Sequence, residues 1–259
     1  MSDVDTDTFS ERERYDKRAR IALEETTEQA PCGYLGFPPY LQPPYSKYYS
    51  LIRNHVNNQA VVVELGAGDG QHSLEAAKLA KKFIATDISS TSLELLTKRL
   101  SKQDAEVETA VADMAQLPFN DSSVDVIICA GSLSYVDPVK VDDEIVRVLK
   151  PGGYFICVDS LNHNPIYRMN RYMHYLQGHR TKSTLKRMPT LRRINQTGNR
   201  FSEIRVDYFG SISFVAPVMQ KFFGSKLTSK ISHLFDRISL FRRMAFKFVV
   251  CAQKSTRTG

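Results

Sequence analysis

Apolar residues along this chain fall into two kinds of segment. Short runs of four to seven read as strands, and between them lie stretches whose apolar positions recur every three or four residues. From residue 60 the two kinds alternate. A strand over 60–65 enters a glycine turn and a helix over about 72–82, and a strand over 83–86 precedes a helix over 90–102. A third strand over 106–111, a fourth over 124–130, a helix over 141–149 and a fifth strand over 154–158 complete the series. Strands and helices alternating at these lengths specify a parallel, doubly wound α/β sheet. Beyond it come a helical insertion over about 165–195, a strand near 204–208, a helical segment over about 216–242 and a last strand over 245–252. The final two strands are expected to form the antiparallel edge of a seven-stranded sheet.

Ahead of residue 60 the pattern is weaker. Residues 1–10 read as disordered and 12–28 have helical composition. Residues 30–49, APCGYLGFPPYLQPPYSKYY, read as a loop or lid because their prolines interrupt both periodicities. The expected organisation is an N-terminal helix and lid (1–50), an α/β core (51–160), and basic insertions with the last two strands (161–259), all in one domain.

Composition adds bounds. With 42% hydrophobic and 24% charged residues over 259 positions, the chain can bury a full core. Cys32, Cys129, Cys157 and Cys251 form no CxxC pair and have no histidine at metal spacing, so buried reduced thiols and no metal are expected. No apolar run approaches the roughly 18 residues of a membrane span, and the N-terminus has no signal-peptide core, so a cytoplasmic protein is expected. The net charge of +7 hides a split: −9 over the first 162 residues and +16 from His163 onward, where 19 Lys and Arg meet only Glu203, Asp207 and Asp236. Such a split suits either a basic docking or substrate surface or a plain solvated basic face.

The most informative motif is Val61-Val62-Val63-Glu64-Leu65-Gly66-Ala67-Gly68-Asp69-Gly70, an apolar strand running into three glycines at alternate positions. Glycines suit a tight turn that a ligand approaches closely. A dinucleotide fingerprint would place its third glycine one position later, where Gln71 stands. Glu64 would repel a pyrophosphate but attract a cationic amino group. The second strand ends at Asp87, 17 positions past Gly70, where a carboxylate can accept both hydroxyls of a ribose.

These residues resemble motif I and the ribose-binding acid of the class I methyltransferase superfamily. Ala112-Asp113-Met114-Ala115-Gln116-Leu117-Pro118-Phe119 is similar to its third-strand signature. Ser123-Val124-Asp125-Val126-Ile127 resembles its fourth strand, and Leu149-Lys150-Pro151-Gly152-Gly153 the turn before its fifth. The nearest subgroup resembles the small-molecule methyltransferases of ubiquinone and menaquinone biosynthesis. The resemblance implies a Rossmann-like fold and S-adenosyl-L-methionine as cofactor. Gly66, Ala67, Gly68 and Gly70 would pass beneath its methionine part, and Glu64 would orient the amino group. Asp87 and Ile88 would hold the ribose, Asp113 and Met114 the adenine, and Ala130 would face the sulfonium.

Catalytic residues are expected in the loops after strands four and five, Gly131-Ser132-Leu133-Ser134-Tyr135 and Asp159-Ser160-Leu161-Asn162-His163. His163 is the expected general base because an unperturbed histidine titrates near neutrality. Asp159 would orient it or act alone, and Tyr135 would hydrogen-bond the acceptor. Aromatics interleave with basic residues through Tyr167, Arg168, Arg171, Tyr172, Arg187 and Arg193, which suits a phosphate-bearing small substrate or a nucleic acid backbone. Leu227, Ile231, Leu234, Ile238 and Phe241 form a stripe expected to pack on the core, with a membrane-surface role as its alternative. The expected activity is O-methylation of a small anionic metabolite or sugar-containing intermediate. Its alternatives are C-methylation of a quinone or lipid at a membrane, and a cofactor-binding module without chemistry. Nucleic acid is disfavoured: the loop after strand four reads Ala130-Gly131-Ser132-Leu133 rather than an NPPY tetrapeptide, and the Pro31-Cys32 pair precedes the cofactor motif.

Overall fold

The computed structural model describes residues 3–24, 32–177 and 181–256. Its centre is a seven-stranded sheet of β1 (Val61–Leu65), β2 (Lys82–Asp87), β3 (Glu108–Val111), β4 (Val124–Ala130), β5 (Leu149–Ser160), β6 (Glu203–Phe209) and β7 (Lys247–Gln253), in the order β3-β2-β1-β4-β5-β7-β6. The first five strands pair in parallel, and β7 runs antiparallel to both β5 and β6. The order reverses between β1 and β4. That switch point opens a crevice at the carboxyl ends of the strands, where ligands of open α/β sheets bind.

Both faces of the central strands are buried, which explains why apolar residues follow one another along them instead of alternating with polar ones. Val63, Ile127 and Phe155 point to one layer, against α5 (Pro138–Val148) and α8 (Leu191–Gly198). Val62, Ile128 and Ile156 point to the other, against α2 (Pro43–His55), α3 (Leu74–Leu79) and α4 (Ser90–Ser101). Short side chains start these helices. Ser89 Oγ accepts from the Ser92 amide at α4, and Asp137 accepts from the Val139 and Lys140 amides at α5.

Three expectations of local structure are corrected. Residues 3–10, expected to be disordered, belong to helix α1 (Asp3–Glu24), while 25–28 of the expected helix lie outside the described residues. The proline-rich segment is not all loop. Pro43 and Pro44 occupy the first turn of α2, where a helix needs no amide donor and a fixed φ is already suitable. Finally, Lys150-Pro151-Gly152-Gly153 is not a turn ahead of β5 but its irregular first part, marked by a register shift against Val124 and Val126.

The C-terminal half adds α6 (Pro165–Leu176), α7 (Lys182–Arg187) and α9 (Ala216–Asp236), the last kinked at Gly224, whose φ of 72° a side chain would disfavour. The stripe expected to pack on the core does not do so. Leu227, Leu234 and Ile238 are exposed and Ile231 is half-buried, while the buried positions of the α9 C-terminal half are Thr228 and Ser232. The side chain of Phe241 lies outside the described residues.

One buried ion pair ties this half to the core. Arg193 Nη2 of α8 donates to Asp142 Oδ1 of α5 at 2.7 Å, and Thr197 Oγ1 donates to Asp142 Oδ2 at 2.8 Å. Burial pushes the Asp142 carboxyl up and the Arg193 guanidinium down from their usual values, against their mutual attraction. Removing one partner therefore strands a buried charge. We expect Arg193→Ala to cost about 3 kcal/mol in urea unfolding, and Arg193→Met with Asp142→Leu to cost less than either single change.

Candidate active site

A cavity of about 560 Å³ opens at the carboxyl ends of β1, β2 and β4. The expected cofactor residues Glu64, Gly66, Ala67, Gly68, Asp87, Ile88, Asp113, Met114 and Ala130 all line it; Gly70 lies behind it in the turn. The turn itself is fixed by sterics. Gly66 has φ +61°, and a Cβ there would lie 2.5 Å from Ser132 Cβ. The loops after β1 and β4 thus nearly touch, and Ser132 Oγ donates to Leu65 O at 3.0 Å across the gap.

Asp87 holds the glycine turn in place. Its Oδ2 accepts from the Gly68 amide and its Oδ1 from the Ser89 amide, both at 2.9 Å. Burial pushes its carboxyl up, and those amides pull it partly back. Asp113 Oδ1 accepts from the Ala115 amide at 2.8 Å, so this exposed acid also shapes its own turn. Glu64 is only 2% exposed, accepts from Ser73 Oγ at 2.5 Å and has no cationic side chain in ion-pair range among the described residues. Burial pushes its carboxyl up to about 8, only partly offset by the Ser73 hydrogen bond. A buried acid facing a cavity without a cation fits a ligand that brings one.

The three expected catalytic residues part company. Tyr135 lines the cavity and meets Tyr15 of α1 edge-on at 5.7 Å between ring centroids. His163 is exposed and lies outside the cavity wall, because Asn164 turns inward instead, capping α6 and donating to Met244 O at 2.8 Å. Asp159 is buried beneath the site and does not line it. Its Oδ2 accepts from the Leu133 amide at 3.0 Å and its Oδ1 from the Ser160 amide at 2.5 Å. Asp159 therefore anchors the loop that carries Tyr135 and orients no histidine.

Several wall residues were missed by the sequence reading. Arg12 and Tyr15 arrive from α1, which is fastened over α4 by Ser89 Oγ donating to Asp16 Oδ1 at 2.5 Å. Lys140 and Arg187 add two more cations to a wall that also carries Asp69, Asp113 and Asp137, Arg187 being the one member of the basic insertion on it among the described residues. His72 sits in an aromatic nest: Tyr49 Oη and His72 Nδ1 share a hydrogen bond of 2.9 Å, and Tyr45 stacks on its ring at 4.9 Å. Burial chiefly, with Lys247 and Arg99 nearby, brings His72 down to about 4. No periodicity could link Tyr45 and Tyr49 to His72, since α2 and the glycine turn meet only in the fold.

The sheet order, with a cavity at its switch point, is that of a Rossmann-like α/β fold. Residues 63–157 match the family model described as methyltransferase domain. A demethylmenaquinone methyltransferase of Clavibacter sepedonicus is 39% identical over 109 residues, 41% of this chain and 44% of that protein. A sterol 4-C-methyltransferase of Caenorhabditis elegans is 32% identical over 112 residues, 42% of this chain and 34% of that protein. The chain thus spans less than half the length of these relatives. Among solved structures, geranyl diphosphate C-methyltransferase from Streptomyces coelicolor A3(2) has a TM-score of 0.59 at 17% identity, covering 96% of this chain and 97% of its own. A (4+2)-cyclase has a TM-score of 0.61 at 14% identity, covering 95% of each chain. At such identities the likeness is one of fold.

The depressed histidine gives a pH signature. Unfolded, His72 takes up a proton near its ordinary 6.5; folded, only near 4. Stability contributed by the neutral ring is therefore complete above about pH 6.5 and lost as pH falls toward 4. The loss should approach about 3 kcal/mol, and His72→Gln should flatten that limb of a urea-denaturation pH series.

Proposed function

We propose that this protein transfers a methyl group from S-adenosyl-L-methionine to a small, largely apolar acceptor bearing an anionic group. The observation that carries the cofactor reading is Glu64, a buried acid without a cation of its own at the cavity wall. The cofactor's α-amino group would supply that cation. Asp87 would accept the ribose hydroxyls, and Asp113 with the Met114 amide would meet the adenine. When bound, the cofactor supplies a methyl group already activated by a sulfonium.

The chain's own contribution is alignment and exclusion of water. Tyr15 and Tyr135 would roof the reacting centre, with α1 covering it. Arg12, Lys140 and Arg187 would receive the acceptor's anionic group. Carbon rather than hydroxyl oxygen is the favoured acceptor atom. A hydroxyl needs its proton removed in the transition state, whereas an electron-rich carbon attacks first and loses its proton afterwards. His163 stands outside the cavity, and His72, the one histidine on the wall among the described residues, is a poor base. The similar protein named a sterol 4-C-methyltransferase supports the same choice.

Two measurements test this. At pH 7 a Glu64 titrating near 8 holds its proton, and a bound ammonium requires the carboxylate. Calorimetry of S-adenosylhomocysteine in buffers of different ionisation enthalpy should report release of close to one proton. Glu64→Gln should abolish that release, and affinity should fall as pH drops below about 8. Asp87→Ala should weaken binding by about 30- to 150-fold. Binding without proton release, or with affinity unchanged by Asp87→Ala, overturns the cofactor geometry. Incubation with labelled cofactor and either a prenylated quinol or a prenyl diphosphate should transfer label to carbon. Label on oxygen overturns the choice of acceptor atom, and Arg187→Ala should raise KM with little change in cofactor affinity.

A further inference from the structure

Two helices of the C-terminal half are built inside out. In α6, Arg171 points inward, 5% exposed, donating to Leu161 O at 2.9 Å and to Asn162 Oδ1 at 3.2 Å. Its outward face carries Met169, Tyr172, Met173 and Leu176, with Met169 66% exposed. In α9, Thr228 and Ser232 are buried while Phe222 is 79% exposed and Phe223, Leu227 and Leu234 stand out with it. An amphipathic helix in water does the opposite. Lone exposed apolar residues are ordinary, but whole faces of them on two helices mark a surface that meets something apolar.

The charges say what that partner is. No Asp or Glu occurs within residues 160–202 or 208–235. Lys226, Lys230 and Arg237 are exposed on the same side of α9 as Leu227 and Leu234, at helical offsets of four, seven and eight. Asp236, the acid that ends the helix, is engaged by the Gly210 and Ser211 amides at 3.0 and 2.9 Å. Tyr167 of α6 meets Phe214, two residues before α9, edge-on at 6.3 Å between centroids, so the first turns of the two helices stand side by side.

We propose that the outward faces of α6 and α9 seat this protein on an anionic lipid bilayer. Phenylalanine, methionine and leucine side chains enter the boundary between headgroups and acyl chains, and the flanking lysines and arginines meet lipid phosphates. Among the described residues no helix is long and apolar enough to cross a membrane, so the contact is peripheral. A second copy of the chain is a poorer partner, because a twofold interface would set this cationic patch against itself. The proposal is independent of the acceptor and of the methyl transfer.

Vesicle co-sedimentation tests it with the full chain. At about 0.15 M salt the protein should pellet with vesicles containing roughly 30% phosphatidylserine in phosphatidylcholine, and not with phosphatidylcholine alone. Phe222→Ser with Phe223→Ser, and separately Lys226→Glu with Lys230→Glu, should each lower partitioning at least about tenfold. All four side chains are exposed, so circular dichroism and S-adenosylhomocysteine affinity should stay as in the parent. Three results would overturn the proposal. One is equal partitioning to neutral and anionic vesicles, and another is variants that bind vesicles as well as the parent. The third is a dimer, or capture of a single-stranded RNA probe, that depends on these residues while vesicle binding is absent.

Discussion

The site rests on a steric constraint smaller than a methyl group. At Gly66 the chain turns through a left-handed conformation while Ser132 presses against the place a side chain would occupy. That close approach joins the carboxyl ends of β1 and β4 at the switch point of the sheet. Because the two loops are held against each other, Glu64, Gly68, Ala130 and Tyr135 face a single cavity. A side chain at residue 66 would separate the loops and strain the backbone together.

Electrostatics then sets the character of that cavity. Two acids, Glu64 and Asp87, are drawn inward and made harder to ionise by burial. Asp87 is compensated by backbone amides of the very turn it supports, so fastening the loop and presenting a carboxylate are one arrangement. Glu64 has only a serine hydroxyl, which leaves it the stronger demand for a positively charged ligand. Arg12, Lys140 and Arg187 share the cavity wall with the further acids Asp69, Asp113 and Asp137.

The excess positive charge of the C-terminal half serves different ends in different places. Arg193 is sunk against Asp142, and Arg171 against the Leu161 carbonyl and the Asn162 side-chain oxygen, both structural. Arg187 reaches the cavity, and Lys226 and Lys230 remain on the surface. Turning arginines inward has a geometrical consequence. Each helix that buries a polar side chain gives up part of its core-facing surface, and its apolar residues are left outside.

The alternation of strands and helices from residue 60 to 160 was legible in the sequence because each buried strand there is a short local run of mostly apolar residues, closed by its own turn. The β4 strand over 124–130 lies where the apolar run places it, and the seven strands with their antiparallel edge follow from the same pattern. Glycine spacing, with Glu64 and Asp87 at fixed offsets, located one wall of the cavity for the same reason: those residues sit within one strand–turn unit of each other. Tertiary structure alone decided the rest. A histidine five residues after a strand and a histidine two residues after a glycine turn look alike in sequence. Only packing sent His163 to solvent and His72 into a nest made by two tyrosines of α2. Likewise a period of 3.6 residues locates an apolar stripe on a helix but not what it faces. On α9 the choice fell to Thr228 and Ser232, and the stripe was turned outward.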